Sequence, residues 1–289
     1  MQWLVYWLVY PILLLISKMP FWVIYGISDG VYALVYYILG YRKKVVRSNL
    51  NLAFPEKSEA EKKRIEKRFY HHFCDSFLEV IKTISITEKE ISSRFVLKNV
   101  DFIKKLEKQG QSAVVLLGHY ASYEWLASLQ LHVDYTAYGI YKPIKNKYFD
   151  ALMHRIRARW NSKVITNRQS VILIRRQQKE GILATYAFVA DQSPKAHPDN
   201  YFTHFLGQQV PFFTGVERIA KRVDLPVLYL KTEKVKRGFY ETEMVQLAKN
   251  PNEHPDFTIT DAFAQILEEQ IKKDPAYYLW THKRFKHRK

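Results

Sequence analysis

From about residue 93 the chain alternates short apolar runs with polar, helix-like stretches. "SAVVLLG" (112–118), "TAYGIY" (136–141), "SKVI" (162–165), "ILATYAFVA" (182–190) and "LPVLYLKTEK" (225–234) read as strands. Helical stretches fall between them near 122–131, 146–160, 168–179 and 212–223. A last one near 258–273 stops at Asp274-Pro275. Such alternation predicts an α/β fold: a central mixed, partly parallel sheet flanked by helices. With 289 residues, 47% of them hydrophobic, the chain is long enough to bury one large core. It carries no internal repeat, low-complexity tract or flexible linker.

Upstream of the alternation, Pro55 ends a basic amphipathic segment over 42–54, and Ser58 with Glu61 spells a capping box. The helix expected from about 58 to 83 places Ile65, Phe69, Phe73, Phe77 and Ile81 on a core-facing stripe.

The first 41 residues have a different texture. Residues 3–17, "WLVYWLVYPILLLIS", carry no charge, and residues 21–41, "FWVIYGISDGVYALVYYILGY", carry only Asp29. A membrane span needs roughly 20 mostly apolar residues, so the first run is short and the second sufficient. Tryptophan and tyrosine are dense in both, as at a water–lipid boundary. No basic n-region precedes the apolar run and no small-residue cleavage site follows its first block, which argues against a secretory signal. "YRKKVVR" at 41–47 follows directly, and positive charge beside an apolar segment marks the cytoplasmic side. The expectation is a membrane anchor over 1–41 and a cytoplasm-facing domain over 42–289.

Charge agrees with an anionic partner. The chain holds 45 Lys+Arg against 28 Asp+Glu, a formal +17. The closing "THKRFKHRK" interleaves basic and aromatic residues, a pattern that suits nucleic acid. Beside an apolar N-terminus with no role in nucleic-acid binding, lipid headgroups or an acidic carrier protein fit better. On that reading Lys283, Arg284, Lys286, Arg288 and Lys289 face the membrane or carrier. The single cysteine, Cys74, excludes an intramolecular disulfide and a cysteine-based metal site. The histidines show no pairing with a nearby carboxylate at ligand spacing, so no metal is expected.

"LLGHYASYEW" (116–125) carries the chemistry. A strand ending at Gly118 puts His119 at the carboxyl edge of the sheet, where open α/β sheets bind ligands. Glu124 follows within the first or second helical turn, so its carboxylate is expected to orient the imidazole while the other ring nitrogen removes a proton from a hydroxyl. "ADQSP" (190–194) also follows a long apolar strand, which brings Asp191 and Gln192 to the same edge. No Gly-x-Ser-x-Gly elbow and no glycine-rich phosphate loop is present. Thr214-Gly215 opens a helix whose free N–H groups suit a phosphate or carbonyl oxygen.

In order along nearly its whole length, the chain resembles the bacterial lipid A biosynthesis (late) acyltransferases of the lysophospholipid acyltransferase superfamily. The resemblance rests on the apolar N-terminus, "NLAFPEKS", "GHYASYEW", "YKPIKNKYFD", "RARWNSKVI", "ADQSP", "VPFFTGVERIAKR" and "WTHKRFKHR". It implies a glycerolipid acyltransferase-like fold at the bacterial inner (cytoplasmic) membrane. It also implies transfer of a fatty acyl group from a thioester, acyl carrier protein or coenzyme A, to a hydroxyl of an anionic lipid A precursor. The family's His-x₄-Asp/Glu dyad carries over to His119 and Glu124. Lys142, Arg157, Arg159 and Arg168 are the candidates for the acceptor's phosphates. Ser122-Tyr123 stands where the family often has Asn-Trp, and Lys142 where it often has arginine, which leaves acceptor identity open. Two rivals remain at this stage: an acyltransferase for a lysophospholipid, glycolipid or pigment, and a membrane-peripheral lipid binder without turnover.

Overall fold

The computed structural model describes residues 2–289. Its centre is a seven-stranded sheet of β1 (Phe95–Leu97), β2 (Ala113–Leu117), β3 (Thr136–Tyr141), β4 (Lys163–Thr166), β5 (Ala184–Val189), β8 (Val227–Lys236) and β9 (Phe239–Ala248). The strand order is β1-β9-β8-β2-β5-β3-β4, and a hairpin of β6 (Phe202–Phe205) and β7 (Gln208–Pro211) stands apart. Only β8 and β9 pair antiparallel within the sheet. The mixed, mostly parallel sheet is the expected one, and β2 is buried at all five positions, as a strand covered on both faces must be. β1, β9 and the small hairpin are additions to the five strands expected.

Helices cover both faces. N-terminal to the sheet come α1 (Gln2–Lys18), α2 (Phe21–Ala33), which continues as a π-helical turn (Leu34–Leu39), α3 (Lys43–Ala53) and α4 (Glu59–Lys82). Then follow α5 (Glu88–Arg94), α6 (Val100–Lys108), α7 (Lys147–Arg157), α8 (Asn167–Lys179), α9 (Gly215–Val223) and α10 (Thr258–Lys273). The stretch after His119, expected as an α-helix, is a 3-10 helix over Tyr123–His132. Its Trp125 packs edge-on against Phe95 and Tyr240 on one sheet face. On the other face, Gln177 of α8 bridges Tyr138 and Tyr186, and Phe263 of α10 meets Tyr229.

The Ser58–Glu61 capping box forms as read: Glu61 donates its N–H to Ser58 Oγ, and Ser58 donates its own to Glu61 Oε2. The stripe on α4 needs correction. Ile65, Phe69 and Ile81 are buried, Phe73 is half-buried, and Phe77 is 61% exposed. A run of fours advances about 40° per step, so it spirals off any single face. Moreover, α4 lies between α2 and the sheet and is buried on opposite sides, with Tyr70, Cys74 and Leu78 also inside. Another expectation also fails here. His71 and Asp75 sit four apart on α4 beside Asp29, with ligand atoms within 4.8 Å of one another. Arg237 binds both carboxylates and Lys234 approaches Asp75, so cations of the chain already neutralise the cluster.

Candidate active site

β2 and β5 pair in parallel with Leu117 opposite Val189, so two residues further on His119 and Asp191 emerge side by side at the carboxyl edge. A Cβ on Gly118 would come within 2.7 Å of a Leu267 methyl on α10, so a larger residue here would have to displace that side chain. The backbone of the His119 loop is fixed by the C-terminal segment. Leu279 donates its N–H to His119 O at 3.0 Å, and Ala121, at φ +50°, donates to Tyr277 O at 3.0 Å.

His119 Nδ1 lies 2.6 Å from Asp191 Oδ1. A carboxylate only accepts, so Nδ1 carries the proton and Nε2 presents its lone pair. Nε2 faces Gln192 Nε2 at 3.4 Å, His119 and Gln192 both line the cavity, and Tyr123 packs edge-on against the ring at 4.9 Å between centroids. Burial pulls the His119 imidazole down, but the charge and hydrogen bond of Asp191, helped by Glu124, outweigh it and hold the pKa above its ordinary value. Burial alone would raise Asp191. The His119 charge and hydrogen bond, with the N–H groups of Asp191 and His119, hold it below the usual carboxylate range.

Glu124 does not take the orienting place expected for it. The 3-10 turn after Ala121 directs its carboxylate to Arg157 at the end of α7, in a two-point pair of 2.9 Å (Nε–Oε2) and 2.7 Å (Nη2–Oε1). A planar guanidinium satisfies both carboxylate oxygens at once, which an imidazole N–H does not. Glu124 remains close enough for its charge to be felt at His119.

These residues open into a cavity of about 610 Å³ that straddles the sheet edge. Its lining includes Leu97, Ile103 and Met244 together with residues of the 3-10 helix, β3, β5, α8 and α9. The wall is mainly apolar, and His119, Glu124, Arg157 and Gln192 contribute polar groups to it. Lys142 lines the cavity and is exposed, and Gly215 contributes at the start of α9. Thr214 precedes it without a side-chain cap bond and is not part of the wall.

Two expected pocket cations lie elsewhere. Arg159, two residues beyond the end of α7, is turned away from Arg157 and donates to Thr83 O just after α4. On α8 the wall residues are Asn167, Ser170 and Val171, one helical face, so Arg168 beside them points to solvent. Arg159→Ala should therefore lower stability by roughly 1.5–3 kcal/mol, the range for a hydrogen bond to a charged group. Donor and acceptor KM should stay unchanged. A raised KM at unchanged melting temperature would return Arg159 to the pocket.

The C-terminal run is also divided. Lys283, Lys286, Arg288 and Lys289 are exposed, but Arg284 is fully buried. Its guanidinium lies 4.3 Å from the Phe212 ring centroid and donates from Nη1 to Ser193 Oγ at 3.1 Å; Nε and Nη2 have no hydrogen-bond partner among the described residues. Ser193 returns a bond to Arg284 O and donates its N–H to His282 Nε2 at 3.2 Å. That contact needs a neutral His282. Burial, reinforced by Lys286 and Arg284, pushes its pKa down to about 4 against the opposing pull of Asp191. The segment after α10 thus braces "ADQS" from beneath, a part no charge-run reading reveals.

A sequence profile described as bacterial lipid A biosynthesis acyltransferase matches residues 1–287. Among curated proteins, the chain is 24% identical to lipid A biosynthesis lauroyltransferase of Escherichia coli K12, over 98% of this chain and 91% of that protein. It is 23% identical to lipid A biosynthesis palmitoleoyltransferase of the same organism, over 98% and 92%. A lipid A biosynthesis acyltransferase of Haemophilus influenzae is 25% identical over 86% of this chain and 78% of its own length.

Proposed function

The chain belongs to the bacterial lipid A biosynthesis acyltransferase family, and from that membership we propose that it moves a fatty acyl group from acyl carrier protein to a hydroxyl of a lipid A precursor. The observation that supports this most is the His119–Asp191 pair at 2.6 Å, with the imidazole in the wall of a mainly apolar cavity. Nε2 takes the proton of the acceptor hydroxyl as its oxygen attacks the thioester carbonyl. Asp191 holds the ring and stabilises the imidazolium that forms. The tetrahedral intermediate then expels the carrier thiolate, which recovers the proton from His119. Arg157, fixed by Glu124, is the cation available to the oxyanion, with the N–H groups at the start of α9 as further donors. In this scheme the family's glutamate acts through Arg157 and through its charge on His119.

The apolar wall suits the hydrocarbon of donor and acceptor, and exposed Lys142 in the lining suits an acceptor phosphate. The apolar N-terminus attaches the enzyme to the inner membrane, with residues 42–289 on the cytoplasmic side. Purified protein in detergent, given labelled acyl carrier protein and a panel of lipid A precursors, lysophospholipids and glycolipids, tests the proposal. One additional acyl chain on a lipid A precursor, read by mass, is the expected product. Transfer only to another lipid would move the acceptor, and no transfer to any of them would remove the reading.

A further inference from the structure

Among the described residues, the segment long and apolar enough to cross a bilayer is Phe21–Leu39, 19 residues. At about 1.5 Å per residue it spans roughly 28 Å, close to the hydrocarbon thickness. Asp29 is its ninth residue, so a spanning helix would hold that carboxylate near the midplane. Asp29 is not alone there. Arg237 Nη2 binds Asp29 Oδ1 at 2.5 Å and Asp75 Oδ1 at 2.7 Å, and His71 Nε2 lies 3.0 Å from Asp29. Ser28 donates to Asp75 at 2.8 Å, and Tyr25 to Glu79 at 3.0 Å.

These partners belong to α4 and to the β8–β9 turn, which are built into the sheet. The turn presses on α2 so closely that a Cβ on Gly238, at φ +74°, would come within 1.9 Å of Tyr25 Oη. A spanning α2 would therefore carry a charged cluster and an open sheet turn to the bilayer centre. Each ionic side chain there costs about 2.5–3.5 kcal/mol on insertion scales. Non-helical backbone facing lipid has no way to satisfy its polar groups.

A helix lying in the interface meets neither penalty. Trp22, Tyr37 and Ile38 are exposed on this segment, and Trp3, Trp7 and Leu8 are exposed on α1. Exposed Lys18 and Lys44 flank α2 at its two ends, placed for anionic headgroups. The half-exposed Asp29–Arg237–His71 cluster then sits at the polar boundary. α1 is tied in turn to α7, through Tyr6 stacked on Tyr148 and Arg155 donating to Tyr10 Oη at 2.7 Å. α7 begins five residues after Lys142, so the same orientation brings the cavity mouth to the lipid surface.

We propose that α1 and α2 lie in the plane of one leaflet, as a two-helix platform that opens the cavity to anionic lipid, and do not cross the bilayer. The proposal rests on the membrane attachment given above. Full-length Lys18→Cys and Lys44→Cys, each beside the buried native Cys74, are labelled with a membrane-impermeant maleimide in spheroplasts and in inverted inner-membrane vesicles. Wild type supplies the background. Both engineered cysteines should react in inverted vesicles and neither in spheroplasts. Labelling of the two from opposite sides, or of either only after detergent, would overturn the in-plane arrangement while leaving membrane attachment intact. Recovery of the protein in the soluble fraction would overturn both.

Discussion

Asp191→Asn is expected to lower kcat/KM by about 10²–10⁴-fold, the usual contribution of general-base catalysis, and His119→Ala by at least as much. Both proteins should keep the wild-type circular dichroism spectrum. The asparagine retains the shape of the side chain but can donate to Nδ1, which stabilises the wrong tautomer and turns the Nε2 lone pair into an N–H. The carboxylate's hold on the resting imidazole is read from the pH profile. His119 must be neutral to accept a proton, so activity falls as pH drops through its pKa. Burial lowers that pKa, while the Asp191 charge and hydrogen bond, then Glu124, raise it to a net value above the ordinary one. The acid limb of the wild-type profile should therefore lie above the ordinary histidine range. With asparagine at 191 the burial remains and the main opposing influence is gone, so the limb should move to lower pH. The rate defect that persists far above both limbs then reports the lost orientation together with the lost stabilisation of the imidazolium as it forms. An unmoved limb with a full rate defect would mean that Asp191 does not act on the imidazole.

Much of this site was legible before any coordinates. The runs "VVLLGH" and "AFVADQ" each end a buried strand on a polar residue, which is why His119, Asp191 and Gln192 were expected on one edge. That β2 and β5 are immediate neighbours, which makes Asp191 the partner of the ring, depends on strand order, and strand order is set by packing far from either strand. Proximity along the chain favoured Glu124 instead, and the 3-10 turn with Ala121 at positive φ defeated it. The antiparallel strand β9 had a readable signal: "FYETEMVQLA" alternates half-buried with buried positions over most of its length. Arg284 had none. Its neighbours Lys283, Lys286 and Arg288 make a basic run that normally lies in water, and only the aromatic rings of Phe205 and Phe212 reveal the exception.

The Glu124–Arg157 pair leads to the second large effect. Arg157→Ala should lower kcat by about 10²–10³-fold, as the loss of one oxyanion donor does. Glu124→Gln should approach that loss, because the guanidinium is then held by nothing of opposite charge. The two substitutions should nevertheless displace the acid limb in opposite directions. Glu124 raises the His119 pKa and Arg157 lowers it. Removing the carboxylate therefore moves the limb to lower pH, and removing the guanidinium moves it to higher pH, where the base is protonated over more of the range. In the double variant these displacements oppose each other, so its limb should return towards the wild-type position. Its rate should match the worse single variant and not the product of the two losses, since residues in direct contact are not additive. Profiles of kcat/KM against pH for the three proteins decide the matter. Limbs that move the same way, or rate losses that multiply, would show that Glu124 and Arg157 act separately, and the oxyanion role of Arg157 would then have no support from its pairing.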